Sequence, residues 1–124
     1  REALILDMEA GIEHLGRATA DCVDAFIVVV EPGQRSIQTL KTIKKLAEDI
    51  GVKKIFAVGN KVRTREEEEF IQNACGDVPV LGFLSYDPDL IEADRCGETP
   101  FNKCILYTRQ VEAIKNHLLR LIDN

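Results

Sequence analysis

Short apolar runs alternate along the chain with longer stretches in which apolar residues recur every three or four positions, a pattern that predicts strands separated by helices. Leu4, Ile5 and Leu6 form the first run, an expected buried strand that delivers Asp7 to its end, with Gly11 four positions later. Residues 12–22 read as short helix or loop, because Ile12, Leu15 and Ala18 fall at helical spacing while Gly16 weakens the segment. Phe26–Val30 is a continuous apolar run rich in β-branching, the composition of a strand buried on both faces. Glu31-Pro32-Gly33 ends it. Ser36 is the predicted N-cap of a helix whose stripe is Ile37, Leu40, Ile43, Leu46, Ala47 and Ile50, and Gly51 suits its C-cap.

The third strand is expected over Lys54–Lys61, followed by a helix with capping-box spacing at Thr64 and Glu67 that ends near Cys75-Gly76. Its acidic run, Glu66 to Glu69, lies where carboxylates favour the helix dipole, so it reads as a solvated helix start. Val78–Leu84 is the fourth strand. Asp87 with Pro88 caps a brief helix closing at Gly97, and Thr99-Pro100 opens the longest helix, with Phe101, Cys104, Ile105, Val111, Ile114, Leu118, Leu121 and Ile122 as its expected apolar face. The predicted class is α/β: one domain over residues 1–124, with a mostly parallel sheet of about four strands flanked by helices.

Charge narrows the partners. With 16 basic and 21 acidic residues in 124, the net charge of -5 argues against a general nucleic-acid or membrane-surface binder. No run of apolar residues is long enough to span a membrane. Cys22, Cys75, Cys96 and Cys104 show neither C-x-C nor C-x-x-C spacing, so they read as small buried thiols of a cytoplasmic protein, without a disulfide framework or an internal metal site. His117 reads as an exposed helix residue.

In open parallel sheets ligands sit beyond the carboxyl ends of the strands. Those ends carry Asp7, Glu31, Asn60 with Lys61, and Ser85 with Tyr86 and Asp87, which together form one candidate rim. Lys61, Arg63 and Arg65 cluster beside Asn60. His14 and Arg17, three apart, share a face that could meet a partner.

The string Leu6-Asp7-Met8-Glu9-Ala10-Gly11-Ile12-Glu13-His14-Leu15-Gly16-Arg17 resembles the switch II segment of MinD-type deviant-Walker P-loop ATPases, and in particular the CooC-type accessory proteins of carbon monoxide dehydrogenase. Agreement continues through Val30-Glu31-Pro32, Asn60-Lys61, Leu81-Gly82, Tyr86-Asp87-Pro88 and Glu92-Ala93-Asp94. The resemblance implies an ATP-dependent factor that assists nickel insertion into that enzyme and works as a nucleotide-gated homodimer. It implies that Asp7 holds a water of the Mg²⁺ shell, that the Gly11 amide senses the γ-phosphate, and that Asn60, Ser85, Tyr86 and Asp87 form the adenine pocket. His14 and Arg17 are implied at the switch or partner contact. Ser85 departs from the proline usual at its position, and Ala18 from the usual glycine.

One motif is absent. No Gly-Lys pair and no G-x-G-x-x-G occurs, so the chain lacks a phosphate-cradling loop. The resemblance places that loop, and a metal-binding C-x-C pair, upstream of Arg1. The chain is therefore expected to be the carboxyl-terminal half of the ATPase, with negligible ATPase activity and no tight ATP, Mg²⁺ or nickel binding of its own. Its sheet would lack the phosphate-loop strand between the strands ending at Asp7 and Glu31. Direct pairing of those two strands, exchange with a second copy, or displacement of the opening segment would follow. The rival readings are a receiver-like module phosphorylated at Asp7, with Lys61 as the accompanying lysine, and a dimerisation module with no ATPase role.

Overall fold

The computed structural model describes residues 4–6, 23–100 and 104–122. Within them the elements run β1 (Phe26–Val30), α1 (Gln34–Ile50), β2 (Ile55–Val62), α2 (Arg65–Cys75), β3 (Val80–Ser85), α3 (Pro88–Cys96) and α4 (Ile105–Ile122). The sheet is parallel in the order β1-β2-β3, so the α/β class stands.

Alternate residues of the strands feed two cores, one on each face of the sheet, but β1, expected to be buried on both faces, is covered on one only. On one face Val28 and Val30 of β1 and Ala57 of β2 meet Ile37 and Leu40 of α1 and Ile71 and Cys75 of α2. On the other, Phe56 and Val58 of β2 and Leu81 and Leu84 of β3 meet Tyr107, Ile114, Leu118, Leu121 and Ile122 of α4. Val30, Leu40 and Ile71 are the largest fully buried side chains, each stabilising the fold by roughly 1.5–3 kcal/mol through burial.

Local signals placed most helix ends. Thr64 Oγ1 accepts from the Glu67 N–H at 3.2 Å, and Glu67 Oε1 returns the favour to the Arg63 N–H at 2.7 Å. Asp87 Oδ1 accepts from the Asp89 N–H at 2.9 Å with Pro88 at the first helical position. Gly51 closes α1 in the left-handed region, at φ 91°. Ser36 is not the N-cap: α1 begins at Gln34 after Gly33, and the Ser36 hydroxyl instead accepts from the Glu31 N–H at 2.8 Å, tying the end of β1 to the helix.

The opening run differs from expectation. Leu4, Ile5 and Leu6 pair with no strand, and Leu4 and Ile5 are 85% and 88% exposed, so three strands are found among the described residues where about four were expected. An apolar run becomes a strand only when a neighbour satisfies its backbone, and residues 4–6 do not pair directly with β1. On the α4 side, Ile27 and Val29 of β1 remain 45% and 59% exposed, because α4 covers β2 and β3 only.

The long helix also differs. Pro100 is helical, but Cys104 is not, and its carbonyl accepts the first bond of α4 from the Thr108 N–H at 2.9 Å. The expected start at Thr99-Pro100 is therefore separate from α4. Ile105 and Val111 are exposed, off the face that Ile114, Leu118, Leu121 and Ile122 present to the sheet, and Tyr107 takes the remaining place. Phe101 lies outside the described residues.

Candidate functional site

The carboxyl ends of β2 and β3 meet at an irregularity. Gly59 pairs with Phe83 and Val62 with Ser85, three steps along β2 against two along β3, so one extra residue bulges at Asn60-Lys61. Lys61 adopts φ 55°, the left-handed region a lysine rarely enters, which marks backbone held by its surroundings at a strand tip. Its Nζ lies 3.1 Å from Glu31 Oε1, an exposed pair worth little to stability that bridges the tips of β1 and β2. Asn60 is half-buried, and its carboxamide bonds to none of the described residues.

Beyond the bulge, the Tyr86 N–H donates to the Val62 carbonyl at 2.9 Å, and the Arg63 guanidinium stacks 4.4 Å from the Tyr86 ring centre. Such a stack is worth about 0.5–1 kcal/mol at an exposed site, enough to bias one ring orientation. Against this segment lies a cavity of about 210 Å³ lined by Ser85, Tyr86, Asp87, Leu106, Tyr107 and Gln110. It is smaller than the roughly 300 Å³ at which drug-sized ligand pockets begin, so it fits a single ring system, not a whole nucleotide.

α4 reaches this cavity because it runs antiparallel over β3. Ile114 packs so closely on Gly82 that a β-carbon there would stand 2.7 Å from Ile114 Cγ1. At one end of this contact the His117 Nδ1 lies 3.0 Å from the Leu81 carbonyl, which can only accept, so Nδ1 carries the hydrogen. At the other, Gln110 Oε1 accepts from the Ser85 N–H at 3.0 Å and its Nε2 donates to Ser85 Oγ at 2.9 Å. His117 is thus half-buried and bonded to the sheet, not the exposed residue expected from the helix pattern.

A larger hollow, about 380 Å³, lies at the opposite end of the strands among Val23, Asp24, Gly51, Val52, Lys53, Lys54 and Ile122. Lys54 Nζ there donates to the Ile122 carbonyl at 3.4 Å, capping the end of α4, and no aromatic side chain faces the hollow. Size alone favours this hollow, but the strand-end position and aromatic lining favour the smaller one.

No family model matches the chain. An uncharacterized ATP-binding protein of Methanocaldococcus jannaschii is 42% identical over 123 residues, 97% of this chain and 47% of that protein. The carbon monoxide dehydrogenase accessory protein CooC of Rhodospirillum rubrum is 40% identical over 97 residues, 78% of this chain and 37% of CooC. The chain is a homologue of CooC and of that ATP-binding protein over part of their lengths. A second uncharacterized ATP-binding protein of the same Methanocaldococcus is 40% identical over 100 residues, covering 77% of this chain and 39% of its own length. The chain thus spans less than half the length of each of these relatives.

Of the residues singled out in the sequence, Ser85, Tyr86 and Asp87 line one cavity, and Asn60 stands at the neighbouring strand tip outside its lining. Asp87 has a structural duty as well, since its carboxylate caps α3. Asp7, Gly11, His14 and Arg17 lie outside the described residues. The basic cluster divides: Lys61 pairs with Glu31, Arg63 stacks on Tyr86, and Arg65 lies 3.7 Å from Glu69 one turn along α2. Leu106, Tyr107 and Gln110 were not legible as site residues, because only the packing of α4 on Gly82 brings them to the rim.

Cysteine placement is mixed. Cys75 and Cys104 are buried, as expected of small apolar thiols, and burial pushes the Cys75 thiol above its ordinary pKa; Cys96 is exposed. Among the described residues no three His, Cys, Asp or Glu side chains gather to hold a metal ion, and no helix is long and apolar enough to cross a membrane.

Proposed function

We propose that the β2–β3 rim is the nucleobase side of an ATP site and that the chain is the carboxyl-terminal half, residues 1–124, of an ATP-dependent maturation factor. The observation that carries this reading is the ring-sized cavity at Ser85, Tyr86 and Asp87, at the carboxyl end of a parallel sheet, in a chain similar to ATP-binding proteins. Tyr86 and Tyr107 supply aromatic surface for a heterocycle, and the uncommitted Asn60 carboxamide offers both a donor and an acceptor beside it. The phosphates extend away from this cavity, which is too small for them.

The remaining roles follow the likeness to CooC. Asp7 holds a Mg²⁺-bound water and Gly11 senses the γ-phosphate, while His14 and Arg17 mediate the switch or the contact within a cytoplasmic homodimer. Nickel is the cargo, delivered to carbon monoxide dehydrogenase. The described residues offer no ligand set for either ion. The outer edge of β1, flanked by exposed Ile27 and Val29, receives the phosphate-loop strand of the intact protein.

A chimera tests this reading: the preceding half of the 42% identical Methanocaldococcus relative joined ahead of this chain. ATP binding by the chimera that is lost in Asn60→Ala supports the ATP site. A chimera that binds no ATP, or incorporation of phosphate at Asp7 from acetyl phosphate, contradicts it and favours a receiver-like module.

A further inference from the structure

The carboxamide of Gln110 is committed at both ends. Its oxygen must face the Ser85 N–H, because an amide N–H can only donate, and this fixes Nε2 toward Ser85 Oγ. Ser85 Oγ is therefore an acceptor in that bond. A hydroxyl that accepts keeps its own hydrogen, and among the described residues Ser85 Oγ donates to none. Both residues line the rim cavity, and both are partly buried.

We infer that Gln110 is a positioning residue that sets the polarity of the base pocket, holding the Ser85 hydroxyl as a hydrogen-bond donor toward an acceptor ring nitrogen of the bound heterocycle. The inference rests on the ATP-site reading. Gln110 need not touch the ligand. Its neutral amide matters because a carboxylate at the same place would accept from both Ser85 groups, the N–H and the hydroxyl, and take the donor away from the cavity.

Gln110→Glu is therefore the informative change: it preserves shape and keeps the Ser85 N–H bonded, yet reverses the hydroxyl. Ser85→Ala removes the hydroxyl altogether, and Gln110→Leu removes both bonds at similar volume. The measurement is the affinity of the ¹⁵N-labelled chain for adenosine, read from amide shifts. One hydrogen bond lost from the complex corresponds to up to about tenfold, so Gln110→Glu and Ser85→Ala are each expected to weaken adenosine by several-fold to about tenfold. The double variant is expected to be no weaker than Ser85→Ala alone, a non-additivity that a purely structural role for Gln110 would not produce.

Gln110→Glu binding as tightly as the unaltered chain overturns the inference, as does full additivity of the two changes. If Gln110→Glu fails to fold, a Gln110→Leu chain that binds adenosine at full strength overturns it equally. These failures differ from failure of the ATP-site reading, in which the unaltered chain shows no adenosine-dependent shifts at residues 60 and 85–87 and both ideas fall together.

Discussion

Gly82→Ala tests how the fold builds the rim. The added methyl would stand 2.7 Å from Ile114 Cγ1 and 3.4 Å from Cδ1, so α4 must lift or Ile114 must leave its rotamer. Overpacking of this kind costs about 1–3 kcal/mol, and replacing a strand glycine returns about 0.5–1 kcal/mol of backbone entropy, leaving a net loss of about 0–2.5 kcal/mol, centred near 1. For a domain of this size the central value lowers the melting temperature by roughly 4 °C, followed by circular dichroism. Because Gln110 lies one turn from Ile114, lifting α4 also loosens the Ser85 contacts, seen as faster hydrogen exchange of the Ser85 amide. Ile114→Ala should cost less in the Gly82→Ala chain than in the parent, because there it also removes the clash. Losses from Gly82→Ala and Ile114→Ala that simply add would refute the packing argument.

The remaining expectations are more local. Thr64→Ala should cost about 1 kcal/mol in urea unfolding, while Thr64→Ser, which keeps the cap oxygen, should stay close to the parent. The Lys44 ammonium lowers the Asp77 carboxyl below its ordinary 3.8, and Asp77 in turn raises Lys44 above 10.5. Stability from Asp77 is therefore present at neutral pH and lost as pH falls through its depressed pKa, whereas that from Lys44 is lost only as pH rises through its raised one. Asp77→Asn should separate from the parent in urea melts at neutral pH, converge with it in acid, and converge at molar salt because the pair is exposed. In a Cys22→Ser background, native-state thiol labelling should modify Cys96 alone, with Cys75 and Cys104 reacting only after unfolding. The isolated chain should show negligible ATP hydrolysis; stoichiometric turnover abolished by changing Asp7 would contradict the account.

Features encoded within a few residues were legible in the sequence. The Thr64 cap, the Asp87-Pro88 start and the Gly51 stop each depend on neighbours close along the chain, and Phe26–Val30 became a strand because β2 pairs with it. Ser36 misled because its hydroxyl serves the Glu31 amide five residues back, a turn function that looks like a cap in one dimension. Leu4–Leu6 carried a strand's composition without a strand's partner. The α4 stripe was only half readable, because a helix resting on one sheet face across Gly82 selects Tyr107 over Ile105 and Val111. Ser85, Tyr86 and Asp87 were found as a strand end, whereas Gln110 lies 25 residues away from Ser85 and nothing local marks it.

Adenosine titration of the ¹⁵N-labelled chain tests the central claim most directly. The account predicts amide shifts confined to Asn60, Ser85, Tyr86, Asp87 and the start of α4. Shifts centred instead on Asp24, Lys53 and Lys54 at the opposite hollow, or none at all, would contradict the placement of the nucleobase at this rim.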